Sequence, residues 1–130
     1  MLVVLDTNVL VSAVLSPAGR PAWIVGQALS GNFKLCCDHR IVEEYRSVLL
    51  RPKFRLNQVF VDAFLDGLLA EAIFVIPSPI DDDFTDESNR KFLEVARFCQ
   101  AKLITGNLKH YPDDPLVTSV GDFCDSVFKL

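Results

Sequence analysis

The chain reads as an α/β protein of three layers, α/β/α, with a central parallel sheet covered by helices on both faces. Three observations carry that expectation. Short apolar runs alternate with longer amphipathic segments along the whole chain. The first run is apolar throughout instead of alternating, as in a strand buried on both faces. Proline and glycine fall between the segments, where helices and strands must stop.

Residues 1–5 (MLVVL) form the first strand, and 7–15 a helix stopped by Ser16, Pro17 and Gly19. Pro21 suits the first turn of a second helix, where a fixed φ and a missing N–H cost nothing. That helix ends near Gly31 and Asn32, and 33–37 (FKLCC) is the second strand. Helices follow at 39–50 and 56–71, with Pro52 between them. A third apolar run, 72–76 (AIFVI), ends at Pro77, and the acidic segment 79–86 is a loop. A strongly amphipathic helix covers 87–100, then come a strand at 102–105 (KLIT), a loop through His110 and Pro112, a strand over 115–118 and a last helix from about 120. No repeat or linker divides the chain, so one domain over 1–130 is expected.

Composition narrows the functional classes. A chain of 130 residues, half of them hydrophobic and 23% charged, can bury a core and is not disordered. No apolar run approaches the roughly 20 residues of a membrane span, and the opening lacks a basic leader, so a cytoplasmic location is expected. Cys36, Cys37, Cys99 and Cys124 show neither CxxC spacing nor a histidine pattern; buried, reduced thiols are expected, not zinc, disulfides or a cysteine nucleophile. A net charge of −4 gives no bulk signal for nucleic acid. Its distribution is uneven: carboxylates cluster at 81–83, 86–87 and 113–114, and bases gather at Arg46, Arg51, Lys53 and Arg55.

In parallel sheets, sites form beyond the carboxyl ends of strands. Asp6 follows a buried strand directly and, at about 100° per residue, shares a helical stripe with Val9, Leu10, Ala13 and Val14. Such a carboxylate either caps the helix or serves a site, and the two roles are compatible. Glu44 lies at the edge of the stripe Ile41, Val42, Tyr45, Val48 and Leu49, while Glu43 points away; the alternative for Glu44 is a solvated surface glutamate. Asn89 extends the stripe of Phe92, Leu93, Ala96 and Cys99 at its first turn, flanked by Asp86. There the alternative is that Asp86 caps the helix and Asn89 bonds to it. Thr105, Gly106 and Asn107 close another strand, as site residues or as a local turn. Carboxylates with nearby amide and hydroxyl oxygens suit Mg²⁺ or Mn²⁺ and phosphodiester hydrolysis, in which the ion activates water and neutralises the phosphate.

Four segments, VLDTNVLVSA at 4–13, EEYRSVLLRPKF at 43–54, DESNRKFLEVA at 86–96 and LITGNLKHYP at 103–112, resemble in order and spacing the landmarks of the PIN-domain family. They are most similar to its bacterial branch of toxin components from toxin–antitoxin systems, related to the VapC-like ribonucleases. The resemblance implies a parallel α/β/α fold and Mg²⁺- or Mn²⁺-dependent cleavage of RNA, with a cognate antitoxin protein and a homodimer as partners. It matches the first acidic ligand to Asp6, the second to Glu44, and the threonine and asparagine that follow the first acid to Thr7 and Asn8. The third acidic position falls on Asn89, where the family usually has aspartate, and Asp86, one turn away, is the carboxylate that could replace it. The fourth falls on Asn107, beside Thr105. Arg51, Lys53 and Arg55 could line the RNA approach, or form a solvated loop.

Two other classes compete with a metal-dependent ribonuclease. One is a PIN-like module that binds RNA or protein without cutting. The other is phosphotransfer through Asp6, against which Asn8 stands, because the aspartyl-phosphatase pattern DxDxT needs an acid there.

Overall fold

The computed structural model describes residues 1–128. Among these residues, five strands form one parallel sheet: β1 (Leu2–Leu5), β2 (Lys34–Cys37), β3 (Ile73–Phe74), β4 (Lys102–Thr105) and β5 (Val117–Ser119). Their spatial order is β3-β2-β1-β4-β5. The helices are α1 (Thr7–Leu15), α2 (Arg20–Leu29), α3 (His39–Leu49), α4 (Gln58–Leu69), α5 (Arg90–Cys99) and α6 (Val120–Phe128). α5 packs across β1, β2 and β4, while α2 packs against α1, α4 and α6, which completes the three-layer α/β/α architecture.

β1 is central because Val3, Val4 and Leu5 are apolar on both faces, and all three are fully buried. From β1 the chain steps outward through β2 to β3, then returns through α5 to β4 on the other side. The strand order therefore reverses between β1 and β4. The carboxyl ends of these two strands flank the switch point at which open parallel sheets build their sites.

Departures from the expected boundaries have local causes. β3 is shorter than 72–76: Val75 N–H still donates to the Cys37 carbonyl at 3.0 Å, but Pro77 has no N–H to extend the ladder. β5 starts at Val117, not 115, because Pro115 lacks a donor and the Asp114 carboxylate binds Leu116 N–H at 2.8 Å in a turn. α4 starts at Gln58 because the Asn57 side chain caps it through Phe60 N–H at 2.7 Å. Ahead of it, Pro52–Phe54 is a short 3-10 turn. Glu87–Asn89 is likewise a 3-10 turn, so α5 proper begins at Arg90. Three cysteines are buried and Cys99 is half-buried; all four are free thiols.

The acidic loop does not stand free in solvent. Arg97 on α5 grips Asp82 through both nitrogens of its fork, at 2.6 and 2.9 Å, and binds Asp114 at 2.9 Å. Arg90 donates to the Ile80 carbonyl and to Glu87, and lies 4.9 Å over the Phe84 ring. Arg40 joins Asp38, the cap of α3, to the buried Glu94 of α5. Three arginines thus fasten the acid-rich segments to the helices. No single helix among the described residues is long and apolar enough to cross a membrane.

Candidate active site

Asp6 sits at the junction of β1 and α1, with its backbone N–H bound to the Ile104 carbonyl of β4 at 3.0 Å. Its side chain does not cap α1. It turns instead toward β4, where Thr105 Oγ1 donates to Asp6 Oδ2 at 2.8 Å and Tyr111 Oη donates to the same oxygen at 2.9 Å. Asp6 Oδ1 takes no side-chain hydrogen bond among the described residues. The carboxylate is only 4% exposed, and Thr105 beneath it is fully buried. Burial pushes its pKa up most, the two hydroxyls pull it down, and the charge of Glu44 pushes it up again. The Asn8 backbone N–H also pulls it down, without reaching capping geometry.

The same junction places the next two residues. Asn8 Oδ1 accepts the Gly106 N–H at 3.1 Å, tying the first turn of α1 to the end of β4. A Cβ at Gly106 would lie 3.2 Å from that Oδ1, which accounts for glycine here. Thr7 Oγ1 donates to Glu44 Oε2. Glu44 reaches this position because its neighbour Tyr45 is fully buried and donates its hydroxyl to the Leu5 carbonyl, docking α3 on the end of β1. The second oxygen of Glu44, Oε1, accepts from Lys91 Nζ at 2.7 Å, and that ammonium also donates to the Ser88 carbonyl.

The structure therefore joins Asp6, Thr7, Asn8, Glu44 and Thr105 into one cluster at the switch point. Asn89 is 8% exposed at the start of α5, two residues before the lysine that reaches Glu44. Asn107 turns toward its own loop: its Oδ1 accepts Lys109 N–H at 3.1 Å and its Nδ2 lies 3.0 Å from His110 Nε2. Only its backbone serves the cluster: its N–H donates to Thr105 Oγ1 at 3.0 Å, and its carbonyl lies 3.5 Å from the same hydroxyl. Asp86 is exposed and caps the turn through Ser88 N–H at 2.9 Å, while its carbonyl accepts Asn89 N–H at 3.1 Å, so the capping alternative holds for this pair; the backbone and side-chain bonds from Ser88 lower its pKa. Arg51, Lys53 and Arg55 are exposed on and beside the turn after α3.

Sequence inspection missed Tyr111 and Lys91. Tyr111 is 8% exposed, with its ring edge-on to Phe84 at 6.2 Å, and burial followed by the charge of Asp6 drives its pKa far above the ordinary phenol. Such a hydroxyl stays protonated and keeps donating. Its sequence signal was a tyrosine inside LITGNLKHYP, and that of Lys91 a lysine two positions from Asn89.

A hard divalent cation can be tested against these donors. Among the described residues no three His, Cys, Asp or Glu side chains gather as a metal cage. Two carboxylates, one with an oxygen free of side-chain partners, suit Mg²⁺ or Mn²⁺, which commonly take one or two carboxylates and retain waters. The set offers nothing for a structural zinc.

Residues 2–109 match the family model described as PIN domain. An uncharacterized protein of Methanocaldococcus jannaschii is 29% identical over 108 residues, covering 81% of this chain and 70% of that protein. Among solved structures, VapBC2 from Rickettsia felis, bound to a DNA fragment from its promoter, superposes with a TM-score of 0.59 at 15% identity, over 92% of this chain and 98% of that one. At that identity the likeness is one of fold.

Proposed function

The chain belongs to the PIN domain family, and from that premise we propose that it is a Mg²⁺- or Mn²⁺-dependent endoribonuclease, the toxin of a toxin–antitoxin pair. The single observation carrying this reading is Asp6, a buried carboxylate with one oxygen held by two hydroxyls and the other free of side-chain partners, close enough to Glu44 for their charges to repel. Buried acids that repel each other need a cation or a function.

Asp6 and Glu44 would hold the ion, with Asp86 the nearest reserve carboxylate. When bound, the ion supplies a water of lowered pKa and neutralises charge on the scissile phosphate. Thr105 and Tyr111 fix the orientation of Asp6, as outer partners of metal ligands do. Thr7 positions Glu44, and Asn8 holds the β4 loop in place. Asn89 offers an amide oxygen to the ion or to a phosphate, and Asn107 braces Thr105. Arg51, Lys53 and Arg55 would carry RNA phosphates toward the pocket, so replacing all three with Ala should lower the salt slope of RNA binding by up to about three phosphate contacts. The antitoxin and the homodimer come from the family resemblance, and the single domain and the cytoplasmic setting from the sequence reading; all four belong to the same proposal.

The test is cleavage of single-stranded RNA with Mn²⁺ and with EDTA, by the parent and by Asp6→Asn. Cleavage that needs Mn²⁺ and Asp6 supports the reading; cleavage surviving either loss overturns it. Asn89, neutral where the family usually has an acid, favours a second reading, a PIN module that binds RNA or a protein without cutting. RNA binding with no Mn²⁺-dependent cleavage would select it.

A further inference from the structure

Lys91 is the feature that the proposed chemistry leaves over. Its ammonium is held by Glu44 on α3 and by the Ser88 carbonyl in the turn before α5, and Nζ lies 5.0 Å over the centre of the Phe92 ring. The pair is sheltered, with side-chain exposures of 13% for Lys91 and 24% for Glu44. It is not a loose surface bridge between two mobile side chains. The two carboxylates are unequal as a result. Asp6 keeps one oxygen free of side-chain partners, whereas both oxygens of Glu44 hold one, Thr7 and Lys91.

A divalent ion that used both carboxylates would meet a positive charge already seated on one of them. Two cations on a single carboxylate repel, and the repulsion is larger in a sheltered pocket than in water. Asn89, two residues before Lys91, adds no negative charge to offset it. We propose that Lys91 is an internal counter-cation that competes with divalent metal for Glu44, so that metal binds only as the ammonium leaves. The inference rests on the proposed metal site and adds a control on its occupancy. A competitor that holds Glu44 about nine-tenths of the time weakens apparent metal affinity about tenfold.

Titration calorimetry with Mn²⁺ alone, on the parent, Lys91→Met, Lys91→Arg and Asp6→Asn, tests this. Lys91→Met keeps the apolar stem and should tighten Mn²⁺ about tenfold, while Lys91→Arg, which keeps the charge, should stay near the parent. Melting in EDTA and in Mn²⁺ reads the same effect: Lys91→Met should melt lower without metal, because Glu44 is left unpaired, and gain more from Mn²⁺. If Lys91→Met is too unstable to titrate, Lys91→Gln is read the same way. Parent-like or weaker Mn²⁺ binding by these neutral variants overturns the proposal and leaves the metal site intact. If Asp6→Asn binds Mn²⁺ as the parent does, the ion lies elsewhere, and both the site and the role of Lys91 fall.

Discussion

Asp6 and Asp82 are both aspartates in acid-bearing segments, and the fold treats them in opposite ways. Asp82 sits in a loop whose carboxylates are met by guanidinium groups: Arg97 binds it at two points, and that contact first of all lowers its pKa. Asp6 is buried, receives only neutral donors, and faces a second carboxylate, so its pKa rises. One acid is paid off by structure; the other is left with unmet demand for positive charge. The difference separates an acid that fastens a loop from one that can take an ion, and acid count in the sequence does not reveal it.

The largest break between the two regions should appear in cleavage. Glu44→Gln is expected to reduce metal-dependent RNA cleavage by more than about 100-fold, beyond the loss typical for a residue that merely supports a ligand. The exposed neighbour change Glu43→Gln and the loop change Asp82→Asn should leave cleavage within about twofold, the range of ordinary context effects at surface positions. Equal losses at Glu44 and Asp82 in a gel assay would erase the distinction.

Next in size is Tyr111→Phe, which removes one of the two hydroxyls holding Asp6 Oδ2. A loss of about 10–100-fold in Mn²⁺ affinity or in cleavage is expected. Parent-like values for both would make Tyr111 a packing residue only.

Asn89→Asp sharpens the contrast from the other side, by adding a carboxylate at the start of α5. Mn²⁺ should bind about tenfold tighter, about 1.4 kcal/mol. The protein should melt lower in EDTA, since like charges in one pocket disfavour ionisation, and should gain more on adding Mn²⁺. No larger metal-induced shift than the parent's would remove position 89 from the site.

The smallest effects concern pH and stability without metal. Because the folded state raises the Asp6 pKa, its stabilising contribution is complete below the ordinary aspartate range and is lost as pH rises through the folded value. Asp6→Asn should therefore outmelt the parent at neutral pH in EDTA, and the gain should shrink on acidification. Asp82 has the opposite sign: its contribution is present above the ordinary aspartate range and is lost as pH falls through the lowered folded value. Arg97→Met should cost a few degrees at most at neutral pH, a half-buried pair still in reach of solvent being worth little, and that deficit should also shrink in acid. Melting curves across pH with the two variants changing in the same direction would contradict the account.

Much of this was legible in the chain. The apolar run at residues 2–5 and the turn residues around each helix gave the order of elements, and a carboxylate directly after a buried strand pointed to Asp6. The third strand and the fifth were misjudged by a residue or more because Pro77 and Pro115 set where the ladders end, a matter of donors and not of hydrophobicity. What the sequence could not show was pairing over distance. Tyr111 meets Asp6 across 105 positions, and Lys91 meets Glu44 across 47. The three aspartates at 81–83 are the densest acidic run in the chain, yet the partner that meets Asp82 is Arg97, 15 positions away. Asn107 faced the same ambiguity, and its side chain proved to serve its own loop.

The central claim is that the Asp6–Glu44 pair, and not the acidic loop, takes a divalent ion. A crystal soaked in Mn²⁺ and measured at the manganese absorption edge tests it most directly. The account predicts an anomalous peak bonded to Asp6 Oδ1 and to Glu44, with the Lys91 ammonium moved off Glu44. A peak on Asp81, Asp82 or Asp83 with the Asp6 pocket empty would contradict it.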